Sequence, residues 1–195
     1  MSTPMVKAIL EDRKTMTRRV AKLKRVLSPE YSYPAQTENP PLWWDIYECS
    51  GISYERIKCP FGKIGDRLWV RETFYIDDDN PKIPYFKANE KHPEIIRWKP
   101  SIFMPRWACR IILEITNVRV ERLQEITEYD AKLEGVQPTL WFQPTKNEDD
   151  DYTLSEDKRS ISYLNGFANV WQKLNGKKYP WSSNPFVWVI EFDRI

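Results

Sequence analysis

The chain has 195 residues, enough for one domain, and its 41% hydrophobic and 30% charged residues are the balance of a globular protein. A net charge of +2 excludes a polycation, and no apolar run approaches the roughly 18 residues that a membrane span needs. Three cysteines without a C-x-x-C pair and a single histidine, His92, offer no metal-ligand spacing, so neither a metal nor a cofactor is expected. Without an apolar leader segment, the expected compartment is the reducing cytoplasm, where a Cys49–Cys59 disulfide is not expected.

Met5-Val6-Lys7-Ala8-Ile9-Leu10 opens an N-terminal helix, and Glu11-Asp12-Arg13-Lys14-Thr15-Met16-Thr17-Arg18-Arg19 follows at once. If the helix continues through this run, Lys14 and Thr17 lie three apart on one face. An amine beside a hydroxyl is a workable base and nucleophile, since a desolvated ammonium loses its proton more easily. The same run also reads as a solvated basic helix end. Residues 27–63, rich in Pro, Tyr, Ser and Trp, read as a long irregular insertion with one short strand near Ser53–Lys58.

Gly65-Asp66 then supplies a turn before an expected strand over Arg67–Tyr75, with Leu68, Val70 and Phe74 on one face and Trp69 and Arg71 on the other. Residues 77–93 return to loop, and Ile95–Trp98 suggests a short strand. Two β-rich stretches follow, Cys109–Ile115 and Asn117–Leu123, the second alternating apolar and charged residues. Gln124–Gly135 switches to helix, with Thr127 as N-cap, Asp130 three residues on and Gly135 placed to end it. A polar acidic loop is expected from Gln137 to about Asp157. A helix over Lys158–Leu174 follows, with a stripe of Ile161, Leu164, Phe167, Val170, Trp171 and Leu174, and Gly176 stops it. Pro185–Phe192 reads as a closing strand. Antiparallel strands joined by loops and occasional helices imply an α+β fold built on a small barrel or strongly bent sheet.

Basic residues crowd between Lys7 and Arg25, whereas acids gather in Asp77–Asp79 and Glu148–Asp151. This asymmetry suits an anionic ligand approached from one side.

Three segments, in order, resemble the ASCH-domain family, whose fold is a small β-barrel of the PUA-like type. Ile9–Arg19 is similar to its leading motif Leu-x-Gly-x-Lys-Thr-x-Thr-x-Arg, Lys63–Val70 to its Gly-Asp turn and strand, and Trp188–Phe192 to its closing strand. Leu123–Gly135 resembles the family's strand-to-helix segment. The resemblance implies one domain over 1–195, with insertions at about 20–62, 76–106 and 137–160. Cys59-Pro60-Phe61-Gly62 and Met104-Pro105-Arg106-Trp107 narrow it to the larger members encoded by bacteriophages and prophages.

Some small members of the family remove the acyl group from N4-acetylcytidine with a Lys, a Thr and a Glu, which fall here on Lys14, Thr17 and Glu134. The resemblance therefore implies a metal-independent amidohydrolase in which Thr17 attacks the amide and Lys14 or Glu134 moves the proton. The alternative is an RNA- or modified-nucleotide-binding module without catalysis, since PUA-like domains commonly bind RNA, and Arg13, Arg18, Arg19, Arg71, Arg106 and Trp107 are the candidates for its surface. Against that surface, Trp69 and Trp107 also read as core rings, and Arg71 and Arg106 as partners of Glu72 or Glu114. A phage accessory protein with a degenerate site is the third reading. The chain departs from the family at Asp12, where the motif has glycine.

Overall fold

The computed structural model describes residues 1–24, 32–36, 43–48, 54–89, 97–140 and 161–195. Cys49, His92, Ile95-Ile96 and Glu148–Asp151 lie outside the described residues, as does most of the expected loop after Gln137. The fold is α+β: among the described residues, a strongly curled antiparallel half-barrel sheet with three helices and two smaller sheets.

Helix α1 spans Thr3–Leu10, with a proline in its first turn and Val6, Ala8 and Ile9 buried. It does not continue into the basic run. Asp12 takes a left-handed backbone (φ +54°), and the amides of Arg13 and Lys14 both turn back onto the Ala8 carbonyl at 2.8 and 3.0 Å. The chain then leaves as strand β1, Met16–Val20. The conditional helix through Thr17 is thereby replaced by a strand, in which Met16 and Arg18 face one side and Thr17 and Arg19 the other. Glycine enters the left-handed region without steric cost. Aspartate is among the few other residues that tolerate it.

The main sheet has the order β1-β9-β8-β5, all antiparallel, with β5 at Arg67–Trp69, β8 at Ile112–Arg122 and β9 at Phe186–Arg194. The two β-rich stretches expected around residue 116 form this one eleven-residue strand, interrupted by a bulge between Ile115 and Asn117. A bulge adds local twist, which helps the sheet to curl. The expected strand Arg67–Tyr75 breaks after Trp69 and resumes as β6, Phe74–Ile76, paired with β7, Pro84–Phe86. The break lies where Glu72 turns inward and takes both guanidinium arms of Arg110 at 2.9 and 2.8 Å.

The expected short strand near Ser53–Lys58 forms as β4, Tyr54–Lys58, and the rest of the segment expected to be irregular contributes β2, Ser32–Gln36, and β3, Trp43–Glu48, to a three-stranded antiparallel meander. Trp44, Ile46 and Ile57 pack on Phe186, Trp188 and Ile190 of the main sheet. That burial, together with the Asp45–Arg56 pair at 2.8 Å, holds a polar-looking stretch as sheet.

The other face of β9, through Val187 and Val189, packs with Met16 on α2 (Glu128–Leu133) and α3 (Tyr163–Asn175). Thr127 caps α2 as expected, accepting the Asp130 amide at 3.0 Å. Helix α3 starts at Tyr163 rather than Lys158. The Ser162 hydroxyl accepts the Asn165 amide, and the Glu128 carboxylate accepts those of Tyr163 and Leu164. Phe167 and Trp171 of its stripe are buried, whereas Ile161 and Leu174, at the stripe's two ends, are exposed.

Candidate functional site

The start of β1 and the end of α2 meet at an isolated antiparallel bridge between Lys14 and Glu134. The Thr15 amide donates to the Leu133 carbonyl at 3.0 Å, and Gly135 turns the chain away with φ +76°. A Cβ on Gly135 would lie 2.8 Å from the Cβ atoms of both Ala8 and Lys14, so the close approach of these segments depends on glycine. Backbone geometry thus sets Glu134 against Lys14.

Both side chains are nearly out of solvent, Lys14 at 4% and Glu134 at 5% exposure. Lys14 Nζ donates to Glu134 Oε2 at 2.7 Å, to the Glu134 carbonyl at 2.8 Å and to the Met16 carbonyl at 2.6 Å. All three ammonium hydrogens are therefore engaged. Burial pushes the Lys14 pKa below its ordinary 10.5; the Glu134 charge and hydrogen bond oppose that shift, and Arg19 and Arg18 reinforce it.

Arg18 is buried beside this pair. It reaches Glu121 Oε1 through Nε and Nη2 at 2.9 and 2.5 Å, Asp130 Oδ2 at 2.9 Å and Glu134 Oε1 at 3.5 Å. Arg119 joins from β8, hydrogen-bonded to Glu121 and Glu191 and ion-paired with Asp130 at 3.6 Å. Three cations (Lys14, Arg18 and Arg119) thus meet four carboxylates (Glu121, Asp130, Glu134 and Glu191).

A cleft of about 400 Å³ opens onto the pair. Its polar side carries Lys14, Thr17, Arg19 and Glu134, and Val136, Phe167, Val170 and Trp171 form an apolar wall. Thr17 is half-buried, and among the described residues its hydroxyl makes no hydrogen bond. No group of three or more His, Cys, Asp or Glu converges as metal ligands among the described residues, and no helix there is long and apolar enough to cross a membrane.

The structure therefore brings Lys14, Thr17 and Glu134 to one cleft, with Lys14 and Glu134 bonded and Thr17 projecting from the opposite face of β1. Arg19 is exposed on its rim. Arg18, expected on a binding surface, is instead a buried structural cation, and exposed Arg13 is paired with Glu11. Arg71 and Arg106 pair with neither Glu72 nor Glu114 among the described residues; both stack on Trp69, each with Cζ 5.5 Å from the ring centre. Trp107 is not a core ring but 57% exposed. Sequence reasoning missed Arg119, Glu121, Asp130 and Glu191. The period-two alternation of β8 was a signal for the first two, since it sets Arg119 and Glu121 on one face.

Comparisons with protein-family models, curated proteins and solved structures return no match.

A pH dependence follows from the buried amine. Between the lowered folded pKa of Lys14 and its ordinary 10.5, the unfolded chain binds more protons than the folded one. Stability contributed by this group therefore rises with pH across that alkaline window, and the full cost of burying the charge is present below it. Urea unfolding in steps from neutral pH to pH ~10 is expected to show this rise in the wild type and not in Lys14→Met.

Proposed function

We propose that the chain is a PUA-like protein of the ASCH type whose cleft hydrolyses the amide of a small acylated nucleoside, with N4-acylcytidine as the trial substrate. The observation that carries this reading is a buried lysine, bonded to a buried glutamate, on a cleft that also bears a threonine hydroxyl without a hydrogen bond among the described residues. The apolar wall of Val136, Phe167, Val170 and Trp171 suits the flat, weakly polar body of such a substrate.

In this mechanism Thr17 Oγ attacks the amide carbon, forming a C–O bond while its proton passes to the Lys14–Glu134 pair. The C–N bond then breaks, the pair returns the proton to the departing nitrogen, and water hydrolyses the Thr17 ester. The lowered pKa of Lys14 supports its part, since only the neutral amine accepts a proton.

The test is hydrolysis of a panel of N4-acylcytidines by the wild type and by Thr17→Ala. Turnover is expected in the wild type and a fall of about 100-fold or more in the variant, with the far-ultraviolet circular dichroism retained. A wild type inert towards the whole panel, or a variant of undiminished rate, overturns the reading.

A further inference from the structure

The β6–β7 hairpin carries two unlike surfaces, one at each end. At its base Phe74 pairs with Phe86, and two short 3₁₀ turns, Ser101–Phe103 and Arg106–Ala108, are seated there through buried Met104 and Ala108. The Phe74 amide donates to the Lys99 carbonyl at 3.1 Å, and the Lys99 amide to that of Phe74 at 2.8 Å. Met104 Sδ accepts the Glu72 amide at 3.0 Å, and Arg71 Nη1 reaches the Ile102 carbonyl at 3.2 Å. From this anchored crest Ile102, Phe103 and Trp107 project into solvent at 66%, 70% and 57% exposure. Beside them the Arg71 and Arg106 guanidiniums stack on the Trp69 ring, and neither meets a carboxylate among the described residues. Residues 97–110 carry Arg97, Lys99, Arg106 and Arg110 with no acid.

The other end of the hairpin is the turn between Ile76 and Pro84. It is a built turn. The Asn80 amide donates to the Asp77 carbonyl and the Ile83 amide to that of Asn80, both at 3.2 Å, and Asp77 Oδ1 accepts the Asp79 amide at 3.2 Å. Asp77, Asp78 and Asp79 stand there against one cation, Lys82, and none of the three carboxylates makes an ion pair among the described residues. Ile83 lies beside them, 50% exposed. Each end thus presents what the other lacks: guanidiniums with exposed rings at the base, carboxylates with an exposed isoleucine at the tip. Within one molecule the three-residue strands β6 and β7 hold the two ends about 10 Å apart. Two copies related by a two-fold axis across the hairpin set each crest on the other's tip, and every contact is made twice.

We propose that this surface is the interface of a two-fold homodimer. Arg71 and Arg106 of each copy pair with Asp77, Asp78 and Asp79 of the partner subunit, and Phe103 and Trp107 cover Ile83 of the partner subunit. A guanidinium without a carboxylate offers a fork that matches one in both charge and geometry. Trp and Arg side chains dominate interface energies once a partner covers them. Contacts this small suit a reversible dimer with a micromolar dissociation constant. The cleft takes no part in the contact, so the proposal stands apart from the hydrolytic reading.

The experiment is sedimentation velocity of the whole chain over a concentration series reaching about 200 µM. A concentration-dependent dimer is expected, weakening as salt rises from about 50 to 500 mM. Arg106→Glu and Asp78→Arg each set like charges against one another at both crest–tip contacts, so each variant alone should weaken the dimer by about 100-fold or more. An equimolar mixture of the two variants should restore it. In the mixed dimer the Arg106→Glu crest meets the Asp78→Arg tip, and the second contact is native. That recovery also shows both variants to be folded. Trp107→Ala should weaken the wild-type dimer by about tenfold or more. A chain that stays monomeric throughout the series, which would leave the crest to a partner of another kind, overturns the proposal. So does a dimer that neither charge reversal weakens, or a mixture of the two variants that remains monomeric.

Discussion

Glu134→Ala is expected to destabilise the protein by about 3–5 kcal/mol, the range for breaking a buried ion pair by removing one partner. The loss has a specific origin. Lys14 is too deep for water to replace the carboxylate, and only the Met16 and residue-134 carbonyls remain to its ammonium. Arg18 loses a contact at the same time. Glu134→Gln, which keeps an acceptor of the same shape, should cost less. The double variant Lys14→Met/Glu134→Leu should recover much of the stability, because well-packed apolar groups often replace a buried pair at no net cost. Urea unfolding of the four proteins decides it. A Glu134→Ala loss below about 1 kcal/mol would mean that the pair behaves as an exposed one.

Gly166→Ala carries the second large effect, with a sign opposite to that of an ordinary helix substitution. In most helices alanine gains about 1 kcal/mol over glycine. Here a Cβ would sit 2.0 Å from the Gln137 carbonyl oxygen and 3.1 Å from its carbon, both backbone atoms that cannot swing aside. Helix α3 must move off the segment after α2, and that movement disturbs Phe167 and Trp171 at the core. A cost of about 3 kcal/mol, the upper end of ordinary overpacking, is expected. For a chain of this size it should appear in thermal unfolding as a fall in Tm on the order of 10 °C. An unchanged Tm would show that the helix does not press on Gln137.

The sequence made the capped helix α2, the closing strand and the turn at Gly135 legible because each rests on a local rule that the fold obeys. Thr127 accepts the Asp130 amide, and Gly135 is left-handed. The Lys14–Glu134 meeting was visible only through family resemblance, since a sequence separation of 120 carries no local signal of contact. Two errors share a cause. Apart from the strand expected near Ser53–Lys58, which forms as β4, β2 and β3 were missed because prolines and polar residues surround them, yet Trp44, Ile46 and Ile57 pack on Phe186, Trp188 and Ile190 of β9. Arg18 looked like a surface cation because its sequence neighbours are basic, yet Glu121 and Asp130 come to it from β8 and α2. In both, long-range packing outweighs local composition.

The place of Lys14 has a further consequence, for how the protein meets copies of itself. β1 is an edge strand of the main sheet. The Phe192 amide donates to the Thr15 carbonyl and the Ala21 amide to that of Phe186, so by alternation the backbone groups of Met16, Arg18 and Val20 look outward from the edge. An open edge of this kind templates aggregation by strand addition. Here the Met16 carbonyl is already taken by Lys14 Nζ, and a guanidinium stands two residues along. A strand arriving to extend the sheet would have to displace a buried ammonium. The residue that equips the cleft also keeps this edge from growing.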